Sequence, residues 1–260
     1  MKGSVLYALL VGVSPAVTQT TYYDVTGAGT IANVNGAQIF TSSGASSTGT
    51  GTFGGFLRLT GNGASTEGIS SESSGSAPNL MSTVSASHTH AMPAATLTAA
   101  PVSTIGGISY YSFYFDLNEP QNVTDKYISF DSLTIYSSSV GDTVWANSLP
   151  DFTSSGNSGS PNNFPGTNPT VRWSLDTLGA DKYMVTTGGD QTVLIDTSVV
   201  GGGSGSGDMY VLVPTSNFAG LGASDYVYFY SQFGAAGTVN GINYGSQGAA
   251  QNLFCKIGGA

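Results

Sequence analysis

No stretch of this chain keeps apolar residues at helical spacing for long enough to build a helix. What recurs is short β-branched and aromatic runs bounded by Gly, Ser, Asn and Pro, the pattern of strands joined by turns. The clearest are Phe53 to Thr60, Tyr110 to Leu117, Tyr127 to Tyr136, Val171 to Leu175, Thr192 to Ile195, Met209 to Val213 and Tyr226 to Phe233. Tyr22 to Thr26, Ala37 to Thr41 and Tyr183 to Thr186 are shorter strands of the same kind. Several alternate with a period of two. Tyr226, Tyr228 and Tyr230 fall on one side of their strand, and Val227, Phe229 and Ser231 on the other. Tyrosines on an outer face keep their hydroxyls wet while the rings pack. In Tyr127 to Tyr136 the apolar residues Ile128, Phe130, Leu133 and Ile135 cannot share a face in a regular strand, so the register requires a bulge near Asp131-Ser132.

Half-apolar strands are best buried between two sheets packed face to face. The expected fold is therefore all-β, an antiparallel β-sandwich of jelly-roll type with long polar loops, forming one domain over residues 17–260. The loops expected are Ser42 to Thr52, Ser70 to His90 and Phe152 to Pro169, and loops of that length in a compact domain are usually functional or mobile.

The composition suggests where such a fold works. Only 8% of residues are charged, against 40% hydrophobic, whereas soluble domains average about 25% charged residues. The surface must be built from Ser, Thr, Asn, Gln and Gly, as in an extracellular protein. The net charge of −9 and the scattered six Lys and Arg argue against nucleic acid as a partner, because polyphosphate needs a basic stripe. They also argue against anionic lipid headgroups. The single Cys255 has no partner for an internal disulfide; it reads either as a small buried hydrophobe or as an intermolecular attachment point.

At the N-terminus, Met1-Lys2, the apolar stretch Val5 to Val13 and Ser14-Pro15-Ala16 follow the order of a signal peptide cleaved after Ala16. The segment is too short to span a bilayer, so no transmembrane segment is expected. The other reading of residues 1–16 is a retained apolar strand, with Val5, Leu6, Leu9 and Leu10 donated to a sheet edge of a neighbouring copy.

Motifs that would carry chemistry are sparse. Gly201-Gly202-Gly203-Ser204-Gly205-Ser206-Gly207-Asp208 leads into a predicted strand, without the helix and Lys of a phosphate loop. Calcium takes carboxylates, amide oxygens and carbonyls held on loops. The candidates are Glu67, Asp116, Asn118, Asp131 and Asp208, of which Asp116 and Asn118 are two apart; no DxDxDG loop is present. His88 and His90 lie on one side of an extended segment but lack further ligands for a transition metal. No Gly-x-Ser-x-Gly elbow is found, so no catalytic residue is assigned. A pair of carboxylates suited to glycoside hydrolysis remains an open third reading. Trp145, Tyr110 and Tyr111 are candidate stacking faces for sugar rings, whereas Trp173 reads as core. Asn122-Val123-Thr124 is a glycosylation sequon on an expected surface loop.

Four segments carry a likeness to a known family. They are Gly51-Thr52-Phe53-Gly54-Gly55-Phe56-Leu57-Arg58-Leu59 with Thr66-Glu67-Gly68; Tyr114-Phe115-Asp116-Leu117-Asn118-Glu119; Ile128 to Tyr136; and Gly203 to Met209 leading to Val213-Pro214 and Tyr226 to Ser231. In these, the chain resembles uncharacterised secreted bacterial β-proteins, many of which end in a PEP-CTERM sorting tail. The resemblance implies export and association with the cell surface or an extracellular polymer; it implies no activity. Residues 235–260 carry no sorting motif.

The function expected first is that of a secreted, non-enzymatic structural protein. It would self-associate into an extracellular fibre, surface layer or matrix through exposed strands such as Tyr226, Tyr228 and Tyr230, since a weakly charged surface has little self-repulsion. The alternative is a glycan-binding sandwich module, with calcium assistance, whose partner is an extracellular polysaccharide.

Overall fold

The computed structural model describes residues 20–41, 55–59, 65–70, 90–117, 119, 122, 124–139, 141, 169–179, 188–199, 208–245 and 251–255. The fold is all-β, as the sequence predicts. One seven-stranded sheet, sheet A, has the order β1-β11-β9-β13-β5, with β10 also on β9 and β6 also on β13. The other, sheet B, has the order β2-β3-β12-β8-β16-β4, with β7 also on β8. In chain order the strands are β1 (Thr21–Asp24), β2 (Ile31–Val34), β3 (Ala37–Thr41), β4 (Gly55–Leu59), β5 (Thr66–Ile69), β6 (Met92–Pro93), β7 (Ser103–Ile105), β8 (Ile108–Leu117), β9 (Tyr127–Ser138), β10 (Thr170–Ser174), β11 (Gln191–Asp196), β12 (Met209–Pro214), β13 (Tyr226–Phe233), β14 (Thr238–Val239), β15 (Ile242–Asn243) and β16 (Gln251–Cys255). All pairings are antiparallel except β1 on β11, which is parallel and departs from the purely antiparallel expectation. The five-residue helix α1 (Ala94–Thr98) is the longest among the described residues, and none is long and apolar enough to cross a membrane.

The two sheets face each other across one core. Phe113 and Phe115 of β8, Ile39 of β3 and Val211 of β12 meet Ile128, Phe130, Leu133 and Ile135 of β9 and Val227, Phe229 and Phe233 of β13. Aromatic rings bridge the layers: Phe115 lies 5.1 Å from Phe130 and Phe113 lies 5.1 Å from Phe229, both edge-to-face, the arrangement ring quadrupoles favour. Trp173 belongs to this core, and its indole N–H donates to the Asn35 carbonyl at 3.1 Å.

The anticipated bulge is present in β9. Gln232 of β13 pairs with Ser132 and Phe233 pairs with Phe130, so Asp131 is the extra residue. Insertion of that one residue returns Leu133 and Ile135 to the face already used by Ile128 and Phe130. The bulge also sits at a fork. On the edge away from β13, residues 127–130 pair with β11 and residues 134–137 pair with β10.

Asn35 fastens the sheets together at one end. It stands at φ 48° with Gly36 at φ 80° in the turn between β2 and β3, the left-handed pair that a two-residue hairpin needs. Its side-chain amide donates to the carbonyls of Ser174 and Leu175 at 3.0 and 2.8 Å. Asn35→Gly should keep the turn and lose only these bonds, costing about 1–2 kcal/mol. Asn35→Ala should cost roughly 1 kcal/mol more for placing a β-carbon at positive φ. Chemical denaturation of the two variants measures the difference.

Candidate functional site

Two places could carry function: the group of acids at the fork of sheet A and the outer edges of sheet B. The first concentrates the ionisable chemistry. Asp131, displaced by the bulge, is buried. Its Oδ2 accepts the Ser129 hydroxyl at 2.8 Å and the Ala235 N–H at 2.6 Å, and its Oδ1 accepts the Thr192 hydroxyl at 3.4 Å. Asp176 follows β10 and is also buried. It accepts the Ser132 hydroxyl at 2.9 Å and the Gln191 N–H at 2.9 Å. Asp190, one residue before β11, accepts the Thr20 hydroxyl.

These carboxyls therefore sit where β9, β10 and β11 meet, surrounded by hydroxyls and backbone N–H groups. Among the described residues, no cation figures among the groups acting on either buried acid. Burial pushes the Asp131 carboxyl up to about 6, against the pull of its Ala235, Ser129 and Thr192 hydrogen bonds. Burial pushes Asp176 up to about 7, with the negative charges of Asp190 and Asp131 adding to the effect. Loss of solvent contact disfavours the charged form, and neutral hydroxyl donors only partly replace the water.

The site anchors structure. Ser129 shares its hydroxyl between Asp131 and the Ala236 N–H, and its backbone N–H donates to the Tyr244 carbonyl at 3.0 Å. The turn after β13 and the β14–β15 hairpin are thereby tied to the bulge. Sequence reading found Asp131 but missed Asp176 and Asp190. Asp176 directly follows one predicted strand and Asp190 lies two residues before another, and only the landing of both strands on one edge of β9 brings them together.

Among the described residues, no three His, Cys, Asp or Glu side chains converge in a way that could hold a metal ion. The calcium candidates are distributed over both sheets. Glu67 is on edge strand β5 and accepts the Tyr230 hydroxyl. Asp208, just before β12, accepts the Leu117 N–H at 2.8 Å, which brings it beside the end of β8 where Asp116 lies. Asp131 is in sheet A, and Asn118 lies outside the described residues. The strand predicted over Met209 to Val213 does follow Asp208.

The aromatic candidates are placed differently from the expectation. Tyr110 and Tyr111 are buried, so neither offers a face to a sugar. Tyr228 and Tyr230 are fully buried and Tyr226 partly so. They pack with Tyr136, Ile69, Ala91 and Val171 in a second apolar cluster on the face of sheet A opposite the main core. The alternation Tyr-Val-Tyr-Phe-Tyr is thus apolar on both faces, as in a strand covered on both sides, and the Tyr series is no association surface. Trp145, His88, Val5, Leu6, Leu9 and Leu10 lie outside the described residues, as does the Cys255 side chain. His90 donates from Nδ1 to the Ala91 carbonyl, 3.0 Å away. Asn122 of the sequon is exposed. Its Oδ1 accepts the Thr124 N–H and hydroxyl, and its amide donates to Asp125.

The β2 and β7 edges of sheet B have the opposite character. From Val25 to Leu57, and again from Ala91 to Phe115, the sequence contains no Asp, Glu, Lys or Arg. These stretches supply β2, β3, β7 and most of β8. Exposed apolar side chains gather there: Ile31 on β2 is 50% exposed, and Val102, Ile105 and Ile108 around the β7–β8 turn are 49, 42 and 50% exposed. Ile105 and Ile108 stand opposite each other across Gly106-Gly107, whose φ angles of 59° and 83° mark a tight two-residue turn. No described strand pairs with the outer edge of β2 or of β7.

No family model, no curated protein and no solved structure matches the chain.

Proposed function

We propose that this protein is a secreted, non-enzymatic structural component whose copies associate into an extracellular fibre, surface layer or matrix. The observation that carries this reading is the separation of charge from exposed apolar surface. Asp24, Glu67, Asp131, Asp176, Asp190 and Asp196 belong to sheet A or its margins, while β2 and β7, two edge strands of sheet B, are uncharged and have exposed Ile and Val on or beside them. Sheet edges are ordinarily protected by Lys, Pro or inward-pointing charge, and an edge without these devices is suited to pairing. The low charge content and the likeness to secreted bacterial β-proteins support an extracellular setting. The glycan-binding reading loses Tyr110 and Tyr111 to burial and rests on Trp145.

Sedimentation velocity and electron microscopy of the full chain over a wide concentration range test the proposal. Assembly into filaments or sheets is expected, and it should strengthen with added salt as the net charge of −9 is screened. A monomer that persists at high concentration and high salt would overturn it.

A further inference from the structure

We infer that β2 and β7 are the two contact edges through which one copy pairs with others, making sheet B continuous along an assembly. The inference rests on the self-association proposed above and specifies its surface. The strands run in the order β2-β3-β12-β8, and β7 adds to β8 beside its N-terminal end. The β2 and β7 edges therefore lie on opposite sides of the same sheet, β7 sharing its side of β8 with β16 and β4, and each unit is bivalent. The occupant is a second copy, and the argument is one of charge. The little repulsion that a net charge of −9 leaves between copies is felt where acidic groups meet, so contact is favoured where neither partner brings charge, which is the case at both edges. A strand of three or four residues buries far less than the roughly 800 Å² per partner of a stable pair. A single contact is therefore weak, and long arrays are expected only at high protein concentration.

The backbone shows which groups would pair. A two-residue turn closes on a hydrogen-bonded pair, and bonded and non-bonded pairs then alternate along the hairpin. Ile105 opposite Ile108 is the closing pair of one hairpin, and Val34 opposite Ala37 that of the other. Thr104 and Asn33, each one residue further from the turn, therefore direct their N–H and C=O outward. Antiparallel pairing of like edges, β7 with β7 and β2 with β2, uses these groups about a two-fold axis. Each copy then contributes five strands, about 24 Å of sheet at the usual strand spacing.

Thr104→Pro and Asn33→Pro each remove one outward N–H without touching a backbone bond of the hairpin, Thr104→Pro also losing the 3.5 Å contact of its hydroxyl with that of Ser109, and proline is accepted on edge strands. With like edges paired, either substitution alone should reduce the polymer to dimers, and the double variant should be monomeric. If β2 instead pairs with β7, each single variant should already be monomeric, which still supports the two edges as the contacts. Ile31→Lys with Ile105→Lys provides a second test through exposed side chains alone and should also disperse the assembly. Thermal unfolding like that of the wild type shows that a variant is folded. Wild-type assembly that survives in both folded double variants would overturn the edges while leaving self-association intact. A wild type that never assembles would overturn both.

Discussion

Acidification from about pH 8 to about pH 4.5 is expected to stabilise this protein against unfolding. The cause is the pair of buried acids at the fork in sheet A. Asp131 and Asp176 have ordinary values of 3.8 in the open chain and are raised to about 6 and about 7 in the fold. The folded state therefore binds the proton more tightly than the unfolded state. The stability this confers is complete below about pH 4 and is lost as the pH rises through 6 and 7. Shifts of this size correspond to on the order of 3–4 kcal/mol for each group when ionisation is complete.

The surrounding charges do not reverse the sign. On the neighbouring strands, Asp24 and Asp190 are themselves acidic. Lys126 is held by Asp196 at 2.6 Å, and Arg172 donates to the Ser137 hydroxyl and the Ala219 carbonyl. Burial alone would raise Asp196, but its bonds to Lys126 and Ser198 outweigh this and lower it. Its contribution is present above the ordinary carboxylate value and is lost as the pH falls through its depressed one, so the acid-side gain ends near pH 4.

Asp131→Asn and Asp176→Asn separate this account from a general charge effect. An asparagine in either position keeps its acceptor for the backbone N–H and turns its amide toward a hydroxyl of Thr192 or Ser132. Each variant should gain stability at pH 8, by roughly 3–4 kcal/mol at most, and the gain should shrink steadily as the pH falls toward 4. Urea unfolding at low micromolar protein keeps the measurement clear of association, which the approach to the isoelectric point of 4.2 favours. A wild type that weakens steadily from pH 8 to pH 5, or Asn variants no more stable at pH 8, would refute it.

The fold was legible in the sequence wherever the local pattern decided the outcome. The runs Ala37 to Thr41 and Tyr226 to Phe233 are strands with those bounds, and Val171 to Leu175, Thr192 to Ile195 and Met209 to Val213 lie within a residue of the observed elements. The misfit among Ile128, Phe130, Leu133 and Ile135 located the bulge, because a period of two allows no other way for them to share a core. The Asn35-Gly36 pair could have revealed β2, as could Asn240-Gly241 for the β14–β15 hairpin, since Asn-Gly between short apolar runs is the strongest local hairpin signal. What the sequence could not supply was the covering of the second face of sheet A. The alternation around Tyr228 is the same whether that face meets water or Ile69 and Ala91. The group of acids was equally hidden, because Asp131, Asp176 and Asp190 become neighbours only when β10 and β11 both pair with β9.

Two single-residue deletions in β9 are expected to have opposite outcomes. Without Asp131 the strand reads Ile128-Ser129-Phe130-Ser132-Leu133-Thr134-Ile135, a regular alternation in which all four apolar residues still point into the core. The ladder to β13 becomes continuous, since Phe130 and Ser132 already face Phe233 and Gln232. The loss is confined to the anchor for Ala235, Ser129 and Thr192, about 1–3 kcal/mol, and the variant should unfold cooperatively with less pH dependence. Without Thr134 no placement of the bulge keeps Leu133 and Ile135 on the same face, because they become consecutive. One of two side chains that are fully buried must leave the core, at about 2–5 kcal/mol, and its place is taken by a residue of the opposite face. The Thr134 deletion should therefore fail to fold, or unfold at much lower denaturant than the Asp131 deletion. Equal tolerance of the two would mean that the register of β9 is not set by its apolar face.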